Sequence, residues 1–221
     1  CSSYTIVKEN LLHKDMKDIT IFENFINDEK LEEARQFIGE ESLNINGEIY
    51  DESNPSINRQ WFFIPIDNAY KKILVDLRPI RQWPYDMENI IPSAKKFILK
   101  IKNRIDKCTN TNFKLERVYL NRQVLGQDVS LHTDDSKANV YTLLIYIGDI
   151  TPENYDKAGG DLELITKEIT RIEPFTKRAV IFKGYIPHQA YAPLVPGLTR
   201  ISMAFKFVDT SNELPFDVKY S

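Results

Sequence analysis

From about residue 113 onward the chain is written in short β-branched and aromatic runs broken by turn residues, and this pattern limits the fold more than any other feature. Arg117 to Leu125, Val129 to Thr133, Val140 to Ile147, Asp161 to Ile165, Glu168 to Ile172, Ala179 to Phe182 and Arg200 to Val208 each read as a strand. Gly126, Gly148 with Asp149, Gly159-Gly160, Pro174, Gly184 with Pro187, and Pro196-Gly197 separate most of them. Seven or eight strands packed into roughly 95 residues indicate a sandwich or barrel rather than a βαβ sheet.

The N-terminal half follows a different period. Asn27 or Asp28 can cap a helix whose stripe is Leu31, Ala34, Phe37 and Ile38, with Gly39 where a helix would end. Residues 42–60 are rich in Ser, Asn, Asp and Glu and read as a long surface loop, a candidate lid, with a strand-like Trp61-Phe62-Phe63 beyond it. Ala69 through Leu77 suggest a second helix stopped near Pro79, and Ile90, Ile91, Ala94, Phe97, Ile98, Ile101 and Ile105 mark a third. Lys95, Lys96, Lys100, Lys102, Arg104 and Lys107 lie mostly off that last stripe, as a solvated face does. The expectation is a mainly β, α+β chain: helical and extended support over 1–112, a β core over 113–210 and a tail over 211–221, in one compact domain.

Composition removes several function classes. With 221 residues, 42% of them hydrophobic, the chain can bury a core, and 29 Lys+Arg against 32 Asp+Glu leave a net charge of −3. No global positive field exists to hold a polyphosphate, so nucleic acid is not an expected partner. No apolar run approaches about 18 residues, so no membrane partner is expected either. Cys1 and Cys108 cannot build a disulfide scaffold. At Cys1 a trimmed end or tag scar is expected over a lipid anchor; Lys8, Glu9, Lys14, Asp15, Lys17 and Asp18 make the first 30 residues unlike a signal peptide, and a cytoplasmic location is expected.

Chemistry concentrates on the three histidines, His13, His132 and His188, two of which fall among the strands. In His132-Thr133-Asp134 an imidazole and a carboxylate sit at i and i+2, on one face of an extended strand. His188, just past the Ala179 to Phe182 strand, can close a third coordination position. Two imidazoles and one carboxylate leave three octahedral positions open, which suits non-haem Fe(II) oxygen chemistry; a structural zinc site would close with four protein ligands. An H-x-D tripeptide is common, so the rest of the strand set decides. Arg200 and Ser202 share a strand face opposite Ile201, Met203, Phe205 and Phe207, and a guanidinium beside a hydroxyl can grip a carboxylate. On the Val140 to Ile147 strand, Thr142, Leu144 and Tyr146 share a face, which places the Tyr146 hydroxyl to help.

In order, the chain supplies His132-Thr133-Asp134, Leu144-Ile145-Tyr146-Ile147, Ala158-Gly159-Gly160-Asp161-Leu162-Glu163-Leu164, Ile172-Glu173-Pro174, Arg178-Ala179-Val180-Ile181-Phe182, Ile186-Pro187-His188 and Arg200-Ile201-Ser202. This ordered set, from Arg117 to Val208, resembles the double-stranded β-helix (jelly-roll, cupin-like) of 2-oxoglutarate- and Fe(II)-dependent dioxygenases, especially the prolyl 4-hydroxylase-like branch. The resemblance implies His132, Asp134 and His188 as iron ligands, Arg200 as partner of the distal carboxylate of 2-oxoglutarate, and Tyr146 as its helper. It implies Fe(II), 2-oxoglutarate and O2 as cofactors, with ascorbate a candidate stimulant. Many relatives place a tyrosine about ten residues before the first ligand; here Arg122 and Gln123 stand there, and Tyr119 and Asn121 just upstream, so Tyr119, Asn121 and Gln123 all remain candidates for the cofactor. Collagen-type relatives use Lys where this chain has Arg200. Because relatives that halogenate lack the carboxylate of Asp134, hydroxylation is implied, of a prolyl residue in a peptide or protein first and of a free amino acid or small metabolite second. A zinc hydrolase and a non-catalytic cupin-like binding module stay open as alternatives.

Overall fold

The segment Val140–Tyr146 is apolar except at Thr142, and every residue of it is buried, as in a strand covered on both faces. It is the axis of the molecule. The computed structural model describes residues 18–36, 59–66, 69–76 and 92–211. Their order is β1 (Ile19–Phe22), α1 (Asp28–Gln36), β2 (Arg59–Ile66), β3 (Ala69–Asp76), α2 (Pro92–Thr109), β4 (Phe113–Gln123), β5 (Val129–His132), β6 (Val140–Tyr146), α3 (Tyr155–Ala158), β7 (Leu162–Ile165), β8 (Ile169–Ile172), β9 (Ala179–Lys183), β10 (His188–Ala190) and β11 (Arg200–Asp209).

Eight strands follow residue 112, and with β1 they form two antiparallel sheets. The larger runs β1-β9-β6-β11-β4 and the smaller β5-β10-β7-β8. This is the mainly β, helix-buttressed architecture that the strand and turn pattern predicts, in the jelly-roll form that the resemblance implies. Strict alternation divides its core in two. Leu143, Ile145, Ala179, Ile181, Met203, Phe205 and Phe207 face outward against Leu31 and Ala34 of α1 and Phe97, Ile101 and Ile105 of α2. Leu144, Tyr146, Val180, Phe182 and Ala204 face inward, toward Leu162, Leu164 and Ile172 of the smaller sheet. Each large side chain so buried contributes about 1.5–3 kcal/mol, on the outer face as on the inner one.

Asn27 is the cap of α1: its Oδ1 accepts the Lys30 N–H at 3.0 Å and its carbonyl accepts the Leu31 N–H. Phe37, Ile38 and Gly39 lie outside the described residues, as do Ile90, Ile91 and 42–58. Pro92 opens α2, where its missing N–H costs nothing, and Asn110, at φ 53°, ends it. No helix among the described residues is long and apolar enough to cross a membrane.

One expected element is wrong. Ala69 to Leu77 does not supply a helix; Ala69–Asp76 is β3, paired antiparallel with β2 from Ile66↔Ala69 to Arg59↔Asp76. Tyr70, Ile73, Leu74 and Leu77 imitate a helical period, but β-branched Ile73 and Val75 favour an extended chain, and β2 offers a partner two residues away. The expected loop accordingly ends at Arg59, where β2 begins. Strand β1 carries no clear local signal, because it is four residues long and is defined by its pairing with β9.

Candidate metal centre

His132 ends β5 and His188 begins β10, and the two are direct cross-strand partners with ring centroids 4.3 Å apart. Asp134 follows β5, and its N–H donates to the Gly184 carbonyl at 2.9 Å. The three residues bring one ligand atom each to within 4.8 Å of the others. His132 Nε2 lies 3.9 Å from Asp134 Oδ1, and His188 Nε2 lies 3.5 Å from Asp134 Oδ2. Neighbouring donors around an octahedral divalent ion stand about 3 Å apart, so a small contraction brings this set onto a cation.

The rings are oriented for that purpose. His132 Nδ1 meets the Ser130 carbonyl at 2.8 Å and His188 Nδ1 meets the Ile186 carbonyl at 2.9 Å. A carbonyl can only accept, so each Nδ1 carries the proton and each Nε2 keeps its lone pair for a metal. The His132 side chain is 40% exposed and that of His188 only 7%, so the centre opens on the His132 side. Burial pushes His188 down to about 4, against the pull of Asp134, which keeps it neutral and ligand-competent at pH 7.

Asp134 is held by two residues that sequence reasoning did not assign. The Thr142 hydroxyl donates to its Oδ2 at 2.6 Å, and the Lys206 ammonium pairs with the same oxygen while also donating to Thr142 Oγ1 at 2.6 Å. Burial works against the Asp134 charge, but Lys206 above all, with His188 and Thr142, outweighs it and holds the carboxyl at about 2. Burial lowers Lys206 to about 8, against the attraction of Asp134, so it still carries its proton at neutral pH. The available signal was spacing: Arg200, Ser202, Ala204 and Lys206 share one face of β11 by simple alternation.

Arg200 occupies the other end of that face, 2% exposed. Its Nε donates to the Gly160 carbonyl at 2.9 Å, Nη1 to Gln123 Oε1 at 2.6 Å and Nη2 to the Tyr146 hydroxyl at 3.4 Å. Gly160 sits at φ 93°, a left-handed conformation that turns this carbonyl inward and that a side chain would strain. Burial raises the Tyr146 phenol, with Arg200 opposing, so it stays a neutral donor. Ser202 pairs with both Tyr146 and Asn121, and Tyr119 pairs in register with Ala204. Gln123 is committed to Arg200 and, through Nε2, to the carbonyls of Gln127 and Ala190.

No family model matches the sequence. No curated protein matches it either. Solved structures do match the fold. A prolyl hydroxylase from Trichoplax adhaerens, in complex with a hypoxia inducible factor oxygen degradation domain peptide, is 14% identical, with 87% of this chain and 84% of that one covered and a TM-score of 0.57. A Burkholderia pseudomallei oxidoreductase of the 2OG-Fe(II) oxygenase family is 10% identical, with 86% and 84% covered and a TM-score of 0.55. HygX from Streptomyces hygroscopicus, with nickel and 2-oxoglutarate bound, is 12% identical, with 88% and 83% covered and a TM-score of 0.54. The fold is the double-stranded β-helix of the 2-oxoglutarate/Fe(II) oxygenases.

The residues of this double-stranded β-helix fit a metal and a dicarboxylate on their own evidence. The donor set is two imidazole nitrogens and one carboxylate. Between it and Arg200 the inner face carries only small side chains on β11, Ser202 and Ala204, and the buried Ser202 Oγ and Asn121 Oδ1 have no hydrogen-bond partner among the described residues. Buried polar atoms without partners are uncommon and mark a place for a polar ligand. Just past β6, Arg35 of α1 donates to the carbonyls of Ile147 and Gly148 and to Asp149 Oδ1, which fastens the start of the connection to α3.

Proposed function

We propose that this protein is an Fe(II)- and 2-oxoglutarate-dependent oxygenase that hydroxylates an unactivated C–H bond, with a prolyl residue of a peptide or protein as the first candidate substrate. One observation carries the reading. Arg200 is a fully buried guanidinium whose described partners are all neutral oxygens, on the same inner strand face that leads to the His132, Asp134 and His188 donors. A buried charge without a counter-charge is costly, and a bound carboxylate removes that cost.

In this reading His132, Asp134 and His188 hold the metal, and Arg200 with Tyr146 grips the distal carboxylate of 2-oxoglutarate. Ser202 and Asn121 line the path between. When bound, the metal with 2-oxoglutarate and O2 supplies oxidative decarboxylation coupled to C–H hydroxylation, giving succinate and CO2. The chain orients these groups: the Ser130 and Ile186 carbonyls fix the imidazoles, Thr142 and Lys206 fix the carboxylate, and Gln123 and Gly160 aim the guanidinium. The apolar walls Leu144, Leu164, Val180 and Phe182 keep water from the reacting atoms. A zinc hydrolase built on the same donors would have no use for a buried Arg200.

The prolyl assignment rests on the likeness to a prolyl hydroxylase that is itself bound to a peptide. Succinate release from 2-oxoglutarate, followed with Fe(II) across proline peptides and free amino acids, tests both levels. Succinate stimulated by a proline peptide supports the full reading, and stimulation by amino acids alone moves the substrate. No succinate from the Fe(II)-loaded protein under any condition sinks the oxygenase.

A further inference from the structure

Lys206 lies inside the barrel, 2% exposed, at the end of the inner face where the metal donors converge. Its ammonium pairs with Asp134 Oδ2, the oxygen turned toward His188, while Oδ1 is turned toward His132. Arg117 of β4 is its direct partner in register and so stands on the same face, and Arg200 lies farther along it. Asp135, whose Oδ1 accepts the Lys137 N–H, also attracts Lys206.

The charge count of the site follows. Two neutral imidazoles and one carboxylate would ordinarily offer a divalent ion one negative charge. Here Lys206 cancels that charge before any metal arrives; Asp135 contributes a second negative charge nearby, against the positive charges of Arg117 and Arg200. A divalent ion entering alone therefore adds two positive charges to a site that has no net negative charge to receive them. A dianion bound beside it restores the balance.

We propose that Lys206 is a built-in counter-charge that makes divalent metal binding at His132, Asp134 and His188 conditional on an anionic co-ligand. In the empty site Lys206 stands in for the metal, so buried Asp134 keeps a cation and the fold does not depend on loading. Once metal and dicarboxylate are both present, each tightens the other by the same factor, as linkage requires. This role rests on the reading of the three residues as a metal site.

The test is Mn(II) binding to the metal-free full chain, by calorimetry or by the signal of free Mn(II), with and without 2-oxoglutarate. In wild type, 2-oxoglutarate tightens Mn(II) binding, and Lys206→Met and Lys206→Gln bind Mn(II) alone about tenfold more tightly than wild type. The gain from 2-oxoglutarate shrinks by the same factor in both, while Lys206→Arg keeps the wild-type pattern. Thermal unfolding in chelator gives a second readout: the neutral variants melt lower than wild type, and Mn(II) raises their midpoint by more than it raises that of wild type. Should Lys206→Met fail to fold, Lys206→Gln, polar and of similar reach, carries the test. Equal or weaker Mn(II) binding by the neutral variants overturns the counter-charge role. Wild-type binding that disappears in His188→Ala upholds the metal site whatever Lys206 does, and no wild-type binding overturns both.

Discussion

On the outer face of β11, Ile201, Met203, Phe205 and Phe207 pack against the helix layer with no charged group among them, whereas on the inner face Arg200, Ser202 and Lys206 are just as deeply buried and are polar. The two faces alternate residue by residue, so one strand does two jobs. Burial on the outer face is non-directional and stabilises the fold by the area it removes from water. Burial on the inner face costs stability unless each polar group finds a partner, and the partners found there, Asp134, Thr142, Gln123, Tyr146 and the Gly160 carbonyl, form a cradle with two orphaned oxygens left over. The difference locates the ligand: it belongs where burial is incompletely repaid.

Substitutions can break that contrast from either side. His188→Ala removes a buried donor, and metal affinity falls by more than about 100-fold, measured by Mn(II) titration. Phe205→Ala attacks the other face: it costs about 3–5 kcal/mol in urea unfolding and leaves the 2-oxoglutarate KM of the folded fraction unchanged. A raised KM in Phe205→Ala would erase the separation between the faces.

Acid sharpens the same contrast. The folded state holds His188 at about 4, whereas an unfolded histidine titrates near 6.5. The unfolded chain therefore binds the extra proton between those values, and stability is full above pH 6.5 and is lost as pH falls toward 4, by about 3 kcal/mol in the metal-free protein. Asp134, held at about 2, adds a further loss of the same sign below the ordinary aspartate range. His188→Gln flattens the upper part of this profile, and Phe205→Ala shifts the whole profile down without changing its shape. Urea titrations from pH 4 to 7 distinguish the two.

Smaller effects belong to the cofactor end. Arg200→Ala raises the 2-oxoglutarate KM about 100-fold and leaves Mn(II) affinity measured without 2-oxoglutarate within a few-fold of wild type. Ser202→Ala, which removes an orphaned hydroxyl, changes stability by less than about 1 kcal/mol and raises that KM only a few-fold. An Arg200→Ala protein with wild-type KM would remove the cofactor anchor.

Much of this was readable from residue order because period two is simple. Once the strands after residue 113 are recognised, alternation puts Arg200 with Ser202 and Thr142 with Tyr146, and the structure keeps both pairs on one face; His132 and Asp134 also converge, but Asp134 lies past the end of β5, where its N–H donates to the Gly184 carbonyl, so strand alternation is not what brings it there. The same alternation carries on from Ser202 through Ala204 to Lys206, but a single lysine in an apolar strand reads as an edge residue until its neighbours are known. By sequence Gln123 is a cofactor candidate; its commitment to Arg200 depends on the cross-strand register of β4 and β11, which no local pattern encodes. For β3 the deciding interaction was pairing with β2, and local period pointed the other way.

The most direct measurement is the visible spectrum of the protein under anaerobic conditions with Fe(II) and 2-oxoglutarate. A weak metal-to-ligand charge-transfer band in wild type, absent from His132→Ala, is the predicted result. Wild-type protein shown to hold Fe(II) but giving no band on addition of 2-oxoglutarate would contradict the account.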